Sequence, residues 1–168
     1  ITPFPKNGLL RVVIETPKGA RNKFNYDPEL KAFRLSKTLP QGMVFPYDFG
    51  FIPQTEGSDG DPLDVLLLMA ESTHPGCVID CRLVGVIRGK QKAKGKKSVR
   101  NDRFIAVSTT ACEFNHVKGP KDLHQDMLKQ LQEFFTTYNA LEGKVFKLLG
   151  VQGVSAANKL IRAQRIKV

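Results

Sequence analysis

The stretch Ser58-Asp59-Gly60-Asp61-Pro62-Leu63-Asp64-Val65-Leu66-Leu67-Leu68 sets three carboxylates within six residues and then runs straight into apolar side chains. Gly60 and Pro62 are turn residues, and the aliphatic run over 65–69 reads as a buried strand. The chain therefore turns tightly and delivers its acids to the margin of a core. Carboxylates held that close repel one another in a low dielectric, so protons or cations must neutralise them. Oxygen-only ligation at this density suits a hard ion, Mg²⁺, Mn²⁺ or Ca²⁺, better than zinc. A solvated acidic turn is the competing reading, and the residues around the stretch decide between the two.

On either side of it, residues 9–16, 32–38, 78–88 and 103–109 have strand character, rich in Val, Ile, Leu or Phe and separated by Gly, Pro, Asn and Asp. With 65–69 that makes five strands before the first helix. A helix is predicted over 122–138, where Leu123, Met127, Leu131, Phe134, Phe135 and Tyr138 recur at helical spacing and Asp122 with Gln125 forms a capping box. A short strand over 145–151 and a second amphipathic helix over 155–165 close the chain. Strands first and helices later argue an α+β protein built on an antiparallel sheet or small barrel.

The chain has 168 residues, enough to bury a core without disulfides, and is expected to form a single domain over 1–168. No apolar run approaches the length of a membrane span, and the opening residues Ile1-Thr2-Pro3-Phe4-Pro5-Lys6 lack the layout of a signal peptide. A cytoplasmic protein with no membrane partner is expected. Three cysteines fit a reducing compartment. Cys77 and Cys81 share a strand face but lie about 13 Å apart at strand rise, too far for a disulfide.

The net charge of +10 is concentrated in one segment. Arg88, Lys90, Lys92, Lys94, Lys96, Lys97, Arg100 and Arg103 face a single acid, Asp102, which accounts for +7 of the excess. Gly89 and Gly95 mark that segment as a flexible, solvated loop between two strands. It holds no aromatic residue on which bases could stack, which argues against a nucleic-acid partner.

The Asp59 to Asp64 turn resembles the signature of the soluble family I inorganic pyrophosphatases. The likeness extends along the chain, through Glu15 in Val12-Val13-Ile14-Glu15-Thr16-Pro17, Lys23, Phe45-Pro46-Tyr47-Asp48-Phe49-Gly50-Phe51-Ile52-Pro53 and Phe134-Phe135-Thr136-Thr137-Tyr138, in the family's order and spacing. The resemblance implies a five-stranded, OB-like antiparallel β-barrel with two flanking α-helices, and metal-dependent hydrolysis of inorganic pyrophosphate to two phosphates. Mg²⁺ is the implied cofactor, with Mn²⁺ as an alternative, and a homo-oligomer, hexameric by resemblance, is the implied assembly. By the same resemblance Asp59 and Asp64 ligate metal, Asp64 bridging two ions. Asp61 orients or deprotonates the attacking water and adds to the metal set, and Glu15 binds a further metal through waters. Lys23, Lys37, Arg103 and Tyr138 hold the substrate's phosphate oxygens.

The chain also departs from the family pattern. Asn25 stands where an acid is usual, Phe45 and Phe49 replace two tyrosines, Lys37 replaces an arginine and Arg103 a lysine, and Asn139 replaces the lysine after the helix tyrosine. The loop that ordinarily supplies acidic metal ligands is the basic stretch 90–97. Asn101 is the nearest counterpart of the last of those acids, and Asp102 beside it is the remaining candidate ligand, although a one-residue shift on a strand sends a side chain to the opposite face. Two accounts follow. In one, a reduced metal site at Asp59, Asp61 and Asp64 works with basic residues from 88–103 in place of missing metals, with lowered activity. In the other, a catalytically weak or inactive relative binds phosphate-rich ligands or nucleic acid through the basic segment.

Overall fold

The computed structural model describes residues 1–5 and 8–166. The chain runs β1 (Leu10–Thr16), β2 (Asn22–Asp27), β3 (Ala32–Thr38), β4 (Asp48–Ile52), β5 (Leu63–Leu68), β6 (Val78–Ala93), β7 (Val99–Arg100), β8 (Arg103–Ser108), α1 (Gln125–Ala140), β9 (Lys144–Gly153) and α2 (Val154–Ala163). Strand pairing follows the order β1-β4-β5-β8-β6, and β6 returns to pair with β1, so five strands close into a ring. Closure leaves none of these five strands with a free edge at the ring. Four seams are antiparallel, as expected, and the β5–β8 seam is parallel.

Alternation along the strands sorts the side chains into two layers. Leu63, Val65 and Leu67 of β5 point inward with Val12 and Ile14 of β1 and Phe104 of β8, and α2 adds Ala157 and Ile161 to this interior. Leu66 and Leu68 point outward, where α1 covers them with Leu131, Phe135 and Tyr138. The run over 65–69 is continuously apolar because β5 is covered on both faces.

Two strand assignments change. The strand over 32–38 is real but lies outside the barrel, paired with β2 in a separate two-stranded hairpin. Its largely exposed pattern suits a ribbon that covers a site better than a barrel wall. Its place in the ring is taken by β4, which strand periodicity misses because Pro46 and Pro53 flank it and Asp48 and Gly50 lower its strand propensity. Gly50 is required there, since a Cβ would fall 2.2 Å from the Val13 carbonyl oxygen. Asp48 is buried and accepts hydrogen bonds from Lys18 N at 2.7 Å, Thr73 N at 2.9 Å and Thr73 Oγ1 at 2.8 Å, tying two loops to β4.

The basic segment is more ordered than a flexible loop. β6 continues through Ala93 and pairs with β9 over the whole stretch from Gly85 to Ala93, and its far side pairs with β7. Only the residues between β6 and β7 form a turn, with Gly95 at φ +73°. Asp122 also has a different task from the one expected. It accepts from the backbone N–H groups of Lys118 and Gly119, at 2.8 and 2.9 Å, to cap a single 3₁₀ turn. The N-cap of α1 is His124, whose Nδ1 accepts from Asp126 N at 3.3 Å.

Candidate active site

Strand register assembles the centre of the site. Phe51, Asp64, Arg103 and Ile87 are direct cross-strand partners in succession, so all four face outward in one row. The parallel β5–β8 seam thus sets Asp64 beside Arg103, and Arg103 Nη1 lies 2.8 Å from Asp64 Oδ2. Arg103 is 4% exposed. Its guanidinium carbon stands 5.1 Å from the ring centroid of Phe135 and 6.0 Å from that of Phe49. A planar, weakly hydrated guanidinium tolerates this aromatic setting better than an ammonium would. Phe45 and Phe49 are core residues here, packed with Phe134, Phe135 and Tyr138. Phenylalanine at both positions leaves this dry cluster with no hydroxyl of theirs to satisfy.

Around this pair the other predicted residues converge. Lys23 Nζ lies 5.7 Å from the Phe49 centroid, and Lys37 Nζ lies 4.4 Å from the Tyr138 centroid. Lys23 and Lys37 are cross-strand partners in the β2–β3 hairpin. Lys37 contacts the Glu142 carboxylate, which also accepts from Lys144 Nζ at 2.8 Å. Burial, with Lys23 and Lys144, pushes the Lys37 ammonium down to about 8. The Glu142 carboxylate in contact with it works against that push. The Tyr138 hydroxyl makes no hydrogen bond among the described residues, and burial drives its pKa upward. Asn139, by contrast, is turned away, its Nδ2 donating to Phe135 O at 2.8 Å within α1.

Glu15 reaches the site through a bulge. The β1–β4 register slips between Ile14 and Thr16, and a bulge re-aims the side chain it carries. Glu15 Oε1 accepts from Tyr26 N at 2.7 Å, so the carboxylate also anchors β2. Burial pushes Glu15 up to about 7; the Tyr26 N–H and Lys23 oppose that push, while Asp64 and Asp61 add to it. The folded chain therefore holds this proton more tightly than the unfolded chain, and stability is lost as pH rises from the ordinary glutamate range through about 7. The shift corresponds to about 3 kcal/mol at most. Glu15→Gln keeps an acceptor for Tyr26 N–H and removes the ionisation. In chelator it should match the parent near pH 4 and exceed it by up to about 3 kcal/mol at pH 8. Urea unfolding at the two pH values checks this, and an equal difference at both would contradict it.

The acidic turn is shaped by backbone bonds from Gly57 N to Asp61 O at 2.7 Å and Gly60 N to Gly57 O at 3.1 Å, with Gly60 at φ +89°. Asp59 and Asp61 are exposed along it. Although Asp59 is exposed as a residue, partial desolvation of its carboxylate within the turn pushes it up, with Asp61 adding to the push. Burial likewise pushes Asp64 up, although 23% of its side chain still meets solvent, and Arg103 and Lys23 pull it back only in part. Carboxylates raised in this way call for added positive charge. Their hard oxygens fit Mg²⁺ or Mn²⁺, ions that keep water or substrate oxygens in part of their shell. Among the described residues no three acids, histidines or cysteines close into a cage of their own, so an ion here would depend on those outside oxygens.

Asp102 does not fit such a role. Its side chain is 7% exposed, and Oδ1 accepts from Gly89 N at 2.9 Å and Arg100 Nη2 at 2.8 Å. Oδ2 lies 3.0 Å from Arg88 Nε, out of line for a hydrogen bond. Sequence reasoning brought Arg88 and Arg100 to the site only as members of the basic segment 88–103 and missed their pairing with Asp102, and it missed Glu142 altogether. Their roles come from strand and helix placement, and no local motif signals them.

An outward-facing site on a five-stranded OB-like barrel, with carboxylates suited to a hard cation and cationic side chains suited to phosphate oxygens, defines a hard-metal carboxylate site for an anionic substrate. The sequence pattern of inorganic pyrophosphatases matches residues 12–167. The inorganic pyrophosphatase of Synechocystis sp. is 38% identical over 157 residues, covering 94% of this chain and 90% of that protein. That of Methanosarcina acetivorans is 40% identical over 151 residues, covering 90% and 87%. The crystal structure of inorganic pyrophosphatase from Thermus thermophilus superposes with a TM-score of 0.88 at 34% identity, covering 98% of this chain and 94% of that one. The chain belongs to the inorganic pyrophosphatase family.

Proposed function

We infer that the chain is an inorganic pyrophosphatase that hydrolyses pyrophosphate to two phosphates in the cleft between the acidic turn and the β2–β3 hairpin. The observation that carries this reading is the pairing of half-buried Asp64 with buried Arg103, with Lys23, Lys37 and Tyr138 around it. The bond from a water oxygen to one phosphorus forms as the bridging P–O bond breaks, and the bridging electrons leave with the second phosphate. A divalent ion on Asp59, Asp61 and Asp64, Mg²⁺ in our reading, would acidify a water and neutralise phosphate charge. Asp61, exposed on the turn, orients that water and takes its proton. Lys23 and Lys37 hold phosphate oxygens as point charges. Arg103 supplies positive charge beside Asp64, and its buried Nε–H has no acceptor among the described residues. The relatives favour hydrolysis over the binding-only account.

Phosphate release tests the reading: two phosphates per pyrophosphate, stopped by chelator, with tripolyphosphate and nucleoside triphosphates much poorer substrates. Equal turnover of all three would place the chain among general phosphoanhydride hydrolases. Tyr138→Phe should lower kcat/KM by about 10- to 100-fold, the value of one hydrogen bond to a charged oxygen, with stability unchanged within about 0.5 kcal/mol. Unchanged kinetics would remove Tyr138 from the substrate site.

We also place the protein in the cytoplasm, where Cys77, Cys81 and Cys112 would stay unpaired. Among the described residues no helix is long and apolar enough to cross a membrane. Assembly of several copies is part of the same reading, supported by exposed Tyr26, Leu35 and Val78 beside the cleft, and sedimentation velocity measures it.

A further inference from the structure

Asp59, Asp64 and Asp102 line one small cleft, with Arg100 in the same wall. In a cleft whose acids served only to collect metal, each carboxylate would keep a lone pair open to it. Asp64 already carries Arg103, and Asp102 is buried between two guanidiniums: Oδ1 accepts from Gly89 N and Arg100 Nη2, and Oδ2 is in ion-pair contact with Arg88. Among the described residues Asp59 is the member of the three with no cationic side chain in contact. Arg88 is fixed further by its Nη1 donating to Gln152 Oε1 at 2.7 Å. Arg100 is carried by β7, a two-residue strand held on β6 opposite Lys90 and Gln91. The Nε–H groups of Arg88 and Arg100 are buried without an acceptor among the described residues. Ion pairing with Asp102 offsets that cost.

We propose that Arg88 and Arg100 act as a built-in cation on Asp102, a guanidinium clasp standing where a divalent ion would otherwise neutralise that carboxylate, so that this third acid of the cleft is closed to metal. The clasp fixes one wall of the cleft whether or not metal is present, and it confines metal to the Asp59–Asp64 turn. Arg88 and Arg100 are positioning residues, since they act through Asp102 and not on substrate. The inference deepens the metal-dependent reading and rests on it, but its test does not pass through turnover.

Mn²⁺ binding to the full chain, counted by electron paramagnetic resonance, reads the clasp directly. Asp102→Asn should bind as many ions as the parent. Arg88→Met with Arg100→Met should bind one more, and adding Asp102→Asn to that pair should return the count to the parent's. Saturating Mn²⁺ should raise the Tm of the double variant by more than it raises the parent's. If the double variant folds only in Mn²⁺, and the triple variant shows no such rescue, the clasp is equally supported. The proposal is overturned if Asp102→Asn alone loses an ion, or if the double variant gains neither an ion nor extra thermal protection, failure to fold in Mn²⁺ included. A parent that releases no phosphate would refute the pyrophosphatase reading and leave these counts to be judged separately.

Discussion

Arg103→Met is expected to destabilise the fold by about 3–5 kcal/mol, because it leaves the Asp64 carboxylate without its buried partner. Burial already pushes Asp64 up and Arg103 is the first group opposing that push, so the variant should also take up a proton at Asp64 well above the usual carboxylate range. Combining it with Asp64→Asn should restore much of the loss, a coupling of about 1–3 kcal/mol for residues in contact. Arg103→Lys should sit between, keeping the charge but losing the planar contact with Phe49 and Phe135. Activity should fall in Arg103→Met by about 10²- to 10³-fold, the usual cost of one charge-stabilising donor. Chemical denaturation of the parent, Arg103→Met, Asp64→Asn and the double variant measures the coupling. Additive losses would mean that Asp64 and Arg103 do not depend on one another.

Asp61→Asn is expected to lower phosphate release by about 10²- to 10⁴-fold, the contribution of a positioned proton acceptor. The fold should not notice. Asp61 is exposed, and the turn uses its backbone oxygen to accept from Gly57 N, an interaction that asparagine keeps. Stability should stay within about 0.5 kcal/mol of the parent. This contrast separates the two carboxylates, since Asp64 is tied into the core through Arg103 while the task we propose for Asp61 is chemical. Loss of stability in step with loss of activity would make Asp61 structural.

The acidic turn, β5 and α1 were legible because each carries a local signal: turn residues before an aliphatic run, or apolar side chains at helical spacing. β4 was hidden because Gly50 and Asp48, which weaken a strand pattern, are required for close approach to Val13 and for tying two loops. The strand over 32–38 was visible, but its partner was not, since pairing with β2 depends on the turn over 28–31 and on Glu15 gripping Tyr26 from another strand. The order of acids and bases along the chain, together with family resemblance, named the residues that gather in the cleft. Their surroundings were beyond it. Nothing local links Arg88 and Arg100 to Asp102, or Glu142 to Lys37, because those contacts exist only once β6, β7 and β9 are in register and α1 has ended.

The account turns on whether the Asp59–Asp64 turn hydrolyses pyrophosphate. Phosphate release from pyrophosphate in Mg²⁺ and again in Mn²⁺, run on the parent beside Asp61→Asn and Asp64→Asn prepared identically, tests this most directly. The expected result is metal-dependent release by the parent and loss of about 10²-fold or more in both variants. Release that persists in both variants, or a parent as silent as they are with either metal, would contradict it.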